Sequence, residues 1–193
     1  MSTALESILS RLNDDGLLML QDPALPSVAT LVAGQPVRGS WWAHPRSHAI
    51  FRLLGQLAEH PDVLAVKLVS GKVTFLPCRY WPALLAVATA REPWQMDGLS
   101  KPAVALLREA DFGVSPLAAG AAAKQLEQRL LVHGQQVHTE SGEHRTRLER
   151  WQSWAERVSC PARLSAVEGK QRLEKLVDSL NQRYGAKGKV PWR

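Results

Sequence analysis

The stretch from residue 63 to residue 76 is the feature that most restricts the fold of this chain. It reads VLAVKLV, then Ser70-Gly71, then KVTFL, and apolar residues that alternate on both sides of such a pair predict a β-hairpin. An amphipathic helix is predicted just before it, after Pro45, because four apolar side chains recur there at the spacing of one helix face. They are Ile50, Leu53, Leu54 and Leu57. A helix that leads into a hairpin indicates a mixed α and β fold.

A similar order of elements is predicted in both halves of the chain. In the first half, helices are predicted around the hairpin at residues 3–12, 26–33, 45–59 and 79–90. The second half contains predicted helices at residues 99–110 and 121–132, a hairpin turn at residues 140–142, and a closing helix with Leu148, Trp151, Trp154 and Val158. Another helix is predicted in the tail, where Ser165 and Glu168 have the spacing of a capping box.

This repeated order resembles the winged-helix superfamily, a helix-turn-helix variant in which a β-hairpin forms the wing. The resemblance is architectural and covers roughly residues 26–158. It implies an α+β fold, mainly α with short β-hairpins, made of tandem winged-helix modules plus a C-terminal helix. The expected domains are an N-terminal winged-helix-like module at 1–97, a second such module at 98–160, and a C-terminal helix with a basic tail at 161–193. The last residues, YGAKGKVPWR, are expected to be mobile or to lie on a partner.

Positive charge is unevenly distributed along the chain. The net charge is +6, with eight Lys/Arg and eight Asp/Glu in residues 1–99 but sixteen and ten in residues 100–193. A basic half is typical of a protein with a polyanionic partner. The alternative interpretation is a solvated, positively charged surface that keeps the protein soluble.

Several classes of protein are excluded by what the sequence lacks. No apolar run is long enough for a membrane helix, and the first residues are acidic where a signal peptide is basic, so a cytoplasmic protein without a membrane partner is expected. Cys78 and Cys160 are far apart and form no C-x-x-C pair, which argues against a metal ribbon and a disulfide scaffold. No glycine-rich phosphate loop is present, and no cofactor is expected.

The winged-helix resemblance implies a DNA partner, with the helix before each hairpin in the major groove and the wing on phosphates. Gln and Arg side chains can pair with adenine and guanine edges. The second half is expected to make most of the duplex contact, through Lys124, Gln125, Gln128, Arg129, His138 and Arg145. The first half is expected to add Arg46, His48, Arg52 and Lys72. The alternative is that these residues are only the polar faces of amphipathic helices.

A possible pocket is predicted in the segment RGSWWAHPRSHAIF, residues 38–51. Adjacent side chains of an extended segment point in opposite directions, so one tryptophan of the pair is expected to be buried and the other to face solvent or a ligand. We interpret the pair as the apolar root of the following helix and the polar residues as a rim that can hold a phosphate. The residues of this pocket are Trp41, Trp42, His44, Arg46 and His48.

An enzyme is the alternative interpretation of that pocket, as a DNA-processing or DNA-repair protein of the glycosylase or nuclease kind. Some bacterial DNA glycosylases are similar in being built from tandem winged helices, and they carry a Gln-x-Gln pair. This chain has Gln125-x-x-Gln128 and Gln135-Gln136 instead. No catalytic residue is therefore identified, and the prediction leans away from an enzyme.

The tryptophans outside the pocket segment are mostly assigned to the core, and the other histidines are interpreted as structural or phosphate-contacting residues. Trp81, Trp94, Trp151 and Trp154 are expected in the core, because they lie in apolar or Pro-rich settings, whereas Trp192 has no obvious core. The group formed by His133, His138, His144, Glu140 and Glu143 matches no zinc spacing, so no metal site is predicted.

Three function classes remain open from the sequence. The first is a DNA-binding protein of transcription regulation or DNA repair, for duplex DNA and with single-stranded DNA also allowed. The second is the DNA-processing enzyme. The third is a protein–protein assembly module, acting as a homodimer or with another protein partner and without nucleic acid.

Overall fold

A computed structural model describes residues 3–138 and 144–193 of the chain. It is mainly α-helical with two small antiparallel sheets, which confirms the predicted α+β class. The predicted turn at 140–142 lies outside the described residues, as do Glu140, Glu143 and the side chains of His138 and His144. The chain divides into two compact units. Unit 1 comprises residues 1–81, 171–191 and 193, and unit 2 comprises residues 82–170 and 192.

Unit 1 contains most of the first half of the chain and the end of the last helix. Its elements are α1 (Ala4–Asp15), β1 (Leu18–Met19), α2 (Val28–Ala33), a 3-10 turn (Trp41–Ala43), α3 (Ser47–Ala58), β2 (Val63–Val69), β3 (Lys72–Pro77) and a second 3-10 turn (Cys78–Tyr80). Both ends of α1 are capped. Thr3 and Glu6 form a capping box at its N-terminus, and Gly16, with a φ of 83°, ends the helix in the left-handed conformation.

The hairpin of unit 1 forms where the alternation predicts it. Ser70 and Gly71 both have positive φ, 52° and 66°, as a tight hairpin turn requires. β1 pairs with β3, so the strand order is β1-β3-β2. β1 was not predicted, because two residues are too few for a period-2 pattern. The predicted apolar face of α3 is buried in the core, with Val28, Trp41 and Phe75.

The C-terminal helix α9 (Ala166–Tyr184) contributes residues 171–184 to unit 1. Asp15 of α1 has a fully buried side chain that accepts hydrogen bonds from Arg11, from Arg183 Nη1 at 3.1 Å and from the Tyr184 hydroxyl at 2.9 Å. Buried carboxylates require such partners. This cluster fastens the end of α9 to the first helix of the chain.

The residues after α9 are held in place, so the expectation of a mobile tail was wrong. Val190 is only 2% exposed. The side-chain amide of Asn181 donates to the carbonyl of Gly188 at 2.8 Å and accepts from its N–H at 2.7 Å. The Ser70 N–H donates to the carbonyl of Lys189 at 2.7 Å. A basic, glycine-containing segment is ordered here because its main-chain groups find partners in unit 1.

Unit 2 repeats the sheet arrangement of unit 1. Its elements are α4 (Trp81–Ala88, beginning at the last residue of unit 1), α5 (Pro93–Met96), α6 (Lys101–Asp111), β4 (Leu117–Ala118), α7 (Gly120–Gln128), β5 (His133–His138), β6 (His144–Glu149) and α8 (Trp151–Arg157). The strand order is β4-β6-β5, again with the first strand beside the third. Between the first strand and the hairpin lies only α7, whereas α2 and α3 occupy that place in unit 1.

The tryptophans expected in the core are mostly there. Trp81, Trp151 and Trp154 are buried, and the indole N–H of Trp151 donates to the carbonyl of Leu130 at 2.8 Å. Trp94 is half-buried, and its ring centre lies 5.6 Å from that of Trp192. Trp192 thus has an aromatic neighbour that sequence reasoning did not identify. Within the described part of the chain, no helix combines the length and the apolar character needed to cross a membrane.

Candidate nucleic-acid interface

The helix before the hairpin of unit 1 has one buried and one exposed face. Burial of the face that carries Ile50 and Leu57 fixes the rotation of α3. The opposite face consists of residues 3 or 4 positions apart, which lie together on a helix surface. Its exposed members are His48, Phe51, Arg52 and Gly55, and we call them the α3 face.

Arg38 and Arg52 supply unpaired positive charge on and near the α3 face, within the described ranges. The side chains of Arg38, His48 and Arg52 are exposed, and none of these side chains has a hydrogen bond or ion pair with any residue in the described ranges. Residues 23–58 contain no Asp or Glu. Arg46 is also exposed, but its guanidinium donates to the carbonyl of Val32. The local surface therefore offers positive charge that is free to meet an anion.

Gly55 is an unusual residue for the middle of an exposed helix face. A Cβ at this position would meet no atom within 4 Å, and the residue has no positive φ. Neither packing nor backbone conformation therefore requires glycine, which makes a helix interior about 0.5–1 kcal/mol less stable than alanine does. Glycine at such a position leaves the helix backbone open to close approach by another molecule.

The paired tryptophans lie in a 3-10 turn just before α3, not in an extended segment. Trp41 is 8% exposed and Trp42 is 59% exposed, so one is buried and the other faces solvent as expected. Their rings are stacked, with centres 3.9 Å apart and planes inclined by 26°. Phe51 of the α3 face is 49% exposed, with its ring centre 5.5 Å from that of Trp42.

The histidines of the predicted pocket lie beside the start of α3. The half-buried His44 accepts a hydrogen bond at Nδ1 from the Arg46 N–H, at 3.1 Å, and so stabilises the turn before α3. No contact among the described residues joins His44 or His48 to a carboxylate. General acid or base work by a histidine needs such a group or a bound substrate to orient it. The structure thus places both histidines beside the start of α3 and, within the described ranges, brings no carboxylate to them.

The hairpin of unit 1 offers less free charge than its sequence indicates. Lys72 forms an ion pair with Asp22, with Nζ 2.8 Å from the carboxylate. Burial of Asp22 raises its pKa, but the hydrogen bonds from Lys72 and from the N–H groups of Leu25 and Ala24 outweigh burial, so the pKa lies below its ordinary value. Asp22 is thus ionised at neutral pH and offsets the charge of Lys72.

In unit 2, two of the predicted contact residues serve the fold. Arg129 donates from one guanidinium nitrogen to the carbonyls of Trp94 at 2.7 Å and Asp97 at 2.6 Å. The Gln125 amide accepts from the N–H of Ser100 at 3.0 Å and donates to the carbonyl of Gly98 at 3.2 Å. Both side chains hold the main chain that leads into α6.

The remaining predicted residues of unit 2 are spread over α7 and the hairpin. Lys124 is exposed and without a partner among the described residues, while Gln128 is half-buried. Arg145 is exposed on β6. Arg147, which sequence reasoning did not select, is exposed two residues further along β6 and therefore projects from the same side of the sheet. Its alternation with the buried Thr146 and Leu148 is the signal that could have identified it.

The two units carry different net charges. Unit 1 contains thirteen Lys/Arg and eight Asp/Glu, whereas unit 2 contains eleven and ten. The excess of positive charge therefore belongs to unit 1, because residues 171–191 and Arg193 add six basic and only two acidic side chains to it. Counting along the sequence placed that excess in the second half of the chain.

Two further observations limit the kind of site. In the described ranges, no group of three or more His, Cys, Asp and Glu residues is arranged to hold a metal ion. No protein-family model, no curated protein and no solved structure matches the chain. The basis for a function is therefore the geometry and charge of the residues themselves.

Proposed function

We propose that this protein binds DNA through tandem winged-helix modules and that unit 1 makes the principal contact. The repeated sheet order supports the proposal, since in each unit a short first strand pairs with the last strand of a hairpin. A helix precedes each hairpin directly, α3 in unit 1 and α7 in unit 2. In winged-helix proteins the helix in that place enters the major groove, and the hairpin contacts the backbone.

The observation that carries the proposal is the α3 face with its free cations. Phosphate contacts supply most of the affinity of DNA-binding proteins, and they need Lys or Arg side chains without internal partners. Arg38 and Arg52 meet that condition among the described residues, in a stretch without any acidic residue. Because Gly55 leaves the middle of the face open, a sugar–phosphate backbone can approach α3 closely.

Unit 2 is assigned a smaller share of the contact. Lys124 and Arg147 are exposed cations of α7 and β6 without partners among the described residues, and their role is to contact phosphates. The single extra positive charge of unit 2 predicts weak binding by these residues alone. Unit 2 is therefore assigned weaker phosphate contacts than unit 1.

The test is a salt titration of binding to a labelled duplex of about 20 base pairs, followed by fluorescence anisotropy. Affinity is expected to fall linearly on a log–log plot between 50 and 200 mM salt. Arg52→Ala and Arg38→Ala should each weaken binding and lower the slope by about one. Arg172→Ala is the matched control, because Arg172 is an exposed, unpartnered arginine of unit 1 on α9. Absence of binding at 50 mM salt, or equal effects of all three variants, overturns the proposal.

A second candidate function, a protein–protein assembly module, is supported by an apolar surface on unit 2. Phe112 is 88% exposed at the end of α6, and Val114 and Leu117 nearby in the chain are also exposed. Exposed apolar groups of this kind are found at protein interfaces. Light scattering distinguishes the two functions: self-association that Phe112→Ser abolishes, without any DNA binding by the native protein, favours the assembly module.

A further inference from the structure

We infer that Trp42 and Phe51 form a stacking site for an unpaired base, so that the protein prefers DNA with unpaired nucleotides over a fully paired duplex. The inference deepens the proposed function and depends on it. It names a class of substrate: single-stranded DNA, or duplex DNA that contains a bubble or an overhang.

The first argument is the exposure of the two rings. Trp42 and Phe51 are 59% and 49% exposed and lie next to each other, with ring centres 5.5 Å apart. Trp41 stacks on one face of Trp42 with ring centres 3.9 Å apart, and Trp42 remains 59% exposed to a ligand. A flat aromatic face that is already held in position loses little side-chain entropy when a base stacks on it.

The second argument is charge. Phosphates flank every nucleotide, so a base-stacking site in a DNA-binding protein needs cations beside the aromatic ring. Arg52 follows Phe51 on α3, and Arg38 lies just before the 3-10 turn that holds Trp42. Both are without partners among the described residues, and no acidic residue occurs between positions 23 and 58. Unpartnered arginines close in sequence to exposed aromatic side chains fit a polyanion whose bases are exposed better than they fit an apolar protein partner.

The third argument concerns which parts of the bases are accessible in a fully paired duplex. In a closed duplex the base faces are stacked on each other, and only base edges are accessible in the grooves. Paired bases therefore cannot stack on the exposed indole of Trp42, whereas every unpaired base presents a π-face to it. Arg52 and Gly55 of the α3 face are thus assigned to the duplex, and the rings of Trp42 and Phe51 to the nucleotide that leaves it.

The test compares three labelled probes at one salt concentration: a blunt duplex, the same duplex with a three-nucleotide central bubble, and a single-stranded oligothymidylate. The native protein is expected to bind the bubble and the single strand more tightly than the blunt duplex. Trp42→Ala should weaken binding of those two probes by roughly 5- to 100-fold and leave the blunt duplex unchanged. Trp42→Phe should retain most of the affinity, since a ring remains.

Val167→Ala is the control, because Val167 is an exposed hydrophobic residue of unit 2 outside both proposed surfaces. If the native protein binds all three probes equally, or if Trp42→Ala weakens all three equally, the stacking site is overturned and the DNA-binding proposal stands. If no probe is bound, both fail. If Trp42→Ala instead converts a dimer to a monomer in sedimentation velocity, the rings are a self-association contact, and the inference is wrong.

Discussion

The guanidinium of Arg129 donates to the main-chain carbonyl of Asp97 at 2.6 Å. From the sequence, Arg129 belongs to the polar face of a helix that would meet DNA, but in the folded chain it closes a loop of unit 2. A further bond from the same nitrogen reaches the carbonyl of Trp94. Its positive charge is therefore directed inward, onto groups that need a donor.

Replacement of Arg129 by Met is expected to lower the free energy of unfolding by about 2 kcal/mol, because carbonyl groups lose a charged donor. Urea denaturation measures the change. Lys124→Met on the same helix is the control, and it should stay within about 0.5 kcal/mol of the native protein. If Arg129→Met folds with native stability but binds DNA less tightly, Arg129 is a DNA contact and its structural role is secondary.

Gly55→Ala is expected to change the stability of the protein and its affinity for duplex DNA in opposite directions. Since no atom lies within 4 Å of the added methyl group, the substitution is expected to stabilise the protein by about 0.5–1 kcal/mol. The same methyl group should weaken duplex binding several-fold by holding the DNA backbone away from α3. Thermal denaturation and anisotropy measure the two effects.

Ser10→Ala serves as the control for Gly55→Ala. Ser10 is exposed on α1, and alanine is also the better helix former there. This variant should gain stability without a change in DNA affinity. Unchanged affinity in Gly55→Ala as well would remove the α3 face from the interface.

Asp15→Asn tests how α9 is attached to unit 1. The substitution keeps the shape of the side chain but removes the charge that accepts bonds from Arg11, Arg183 and Tyr184. The expected loss of stability is about 2 kcal/mol, the range for hydrogen bonds to a charged group. Hydrogen exchange should show faster exchange in residues 171–184. Asp14→Asn, at an exposed and unpartnered neighbour, is expected to change neither quantity.

Glu149 is expected to make the stability of unit 2 depend on pH in the acidic range. Burial raises its pKa, but hydrogen bonds with His133 and Arg157 outweigh burial and lower the pKa to about 2 from the ordinary 4.5. A carboxyl group with a lowered pKa stabilises the fold above its ordinary pKa, and that contribution disappears as the pH falls toward 2.

Glu149→Gln should therefore be less stable than the native protein by about 1 kcal/mol at pH 7, an amount limited by solvent screening. The difference is expected to shrink as the pH is lowered from about 4.5 toward 2. Urea denaturation at several pH values measures it. Glu156→Gln, exposed on α8, should match the native protein throughout, and a constant gap for Glu149→Gln would show that its charge is not the cause.

The sequence by itself determined the features that depend on neighbouring residues. The hairpin turn at Ser70-Gly71, the buried stripe of α3 and the capping box of Ser165 and Glu168 each arise within a few residues, where periodicity and capping chemistry act. The exposure of one tryptophan beside a buried one was also predictable, although a 3-10 turn, and not an extended segment, produces it.

Only the tertiary structure decided where the charge and the free side chains lie. Asp15 and Arg183 are 168 residues apart in the chain, and their contact assigns the basic end of α9 to unit 1. Arg129 and Asp97 are likewise distant, so no local pattern shows that this arginine is engaged. Burial and long-range hydrogen bonds determine which arginines are engaged inside the protein and which remain free. Both depend on contacts between residues that are distant in the sequence, and a local sequence pattern does not contain them.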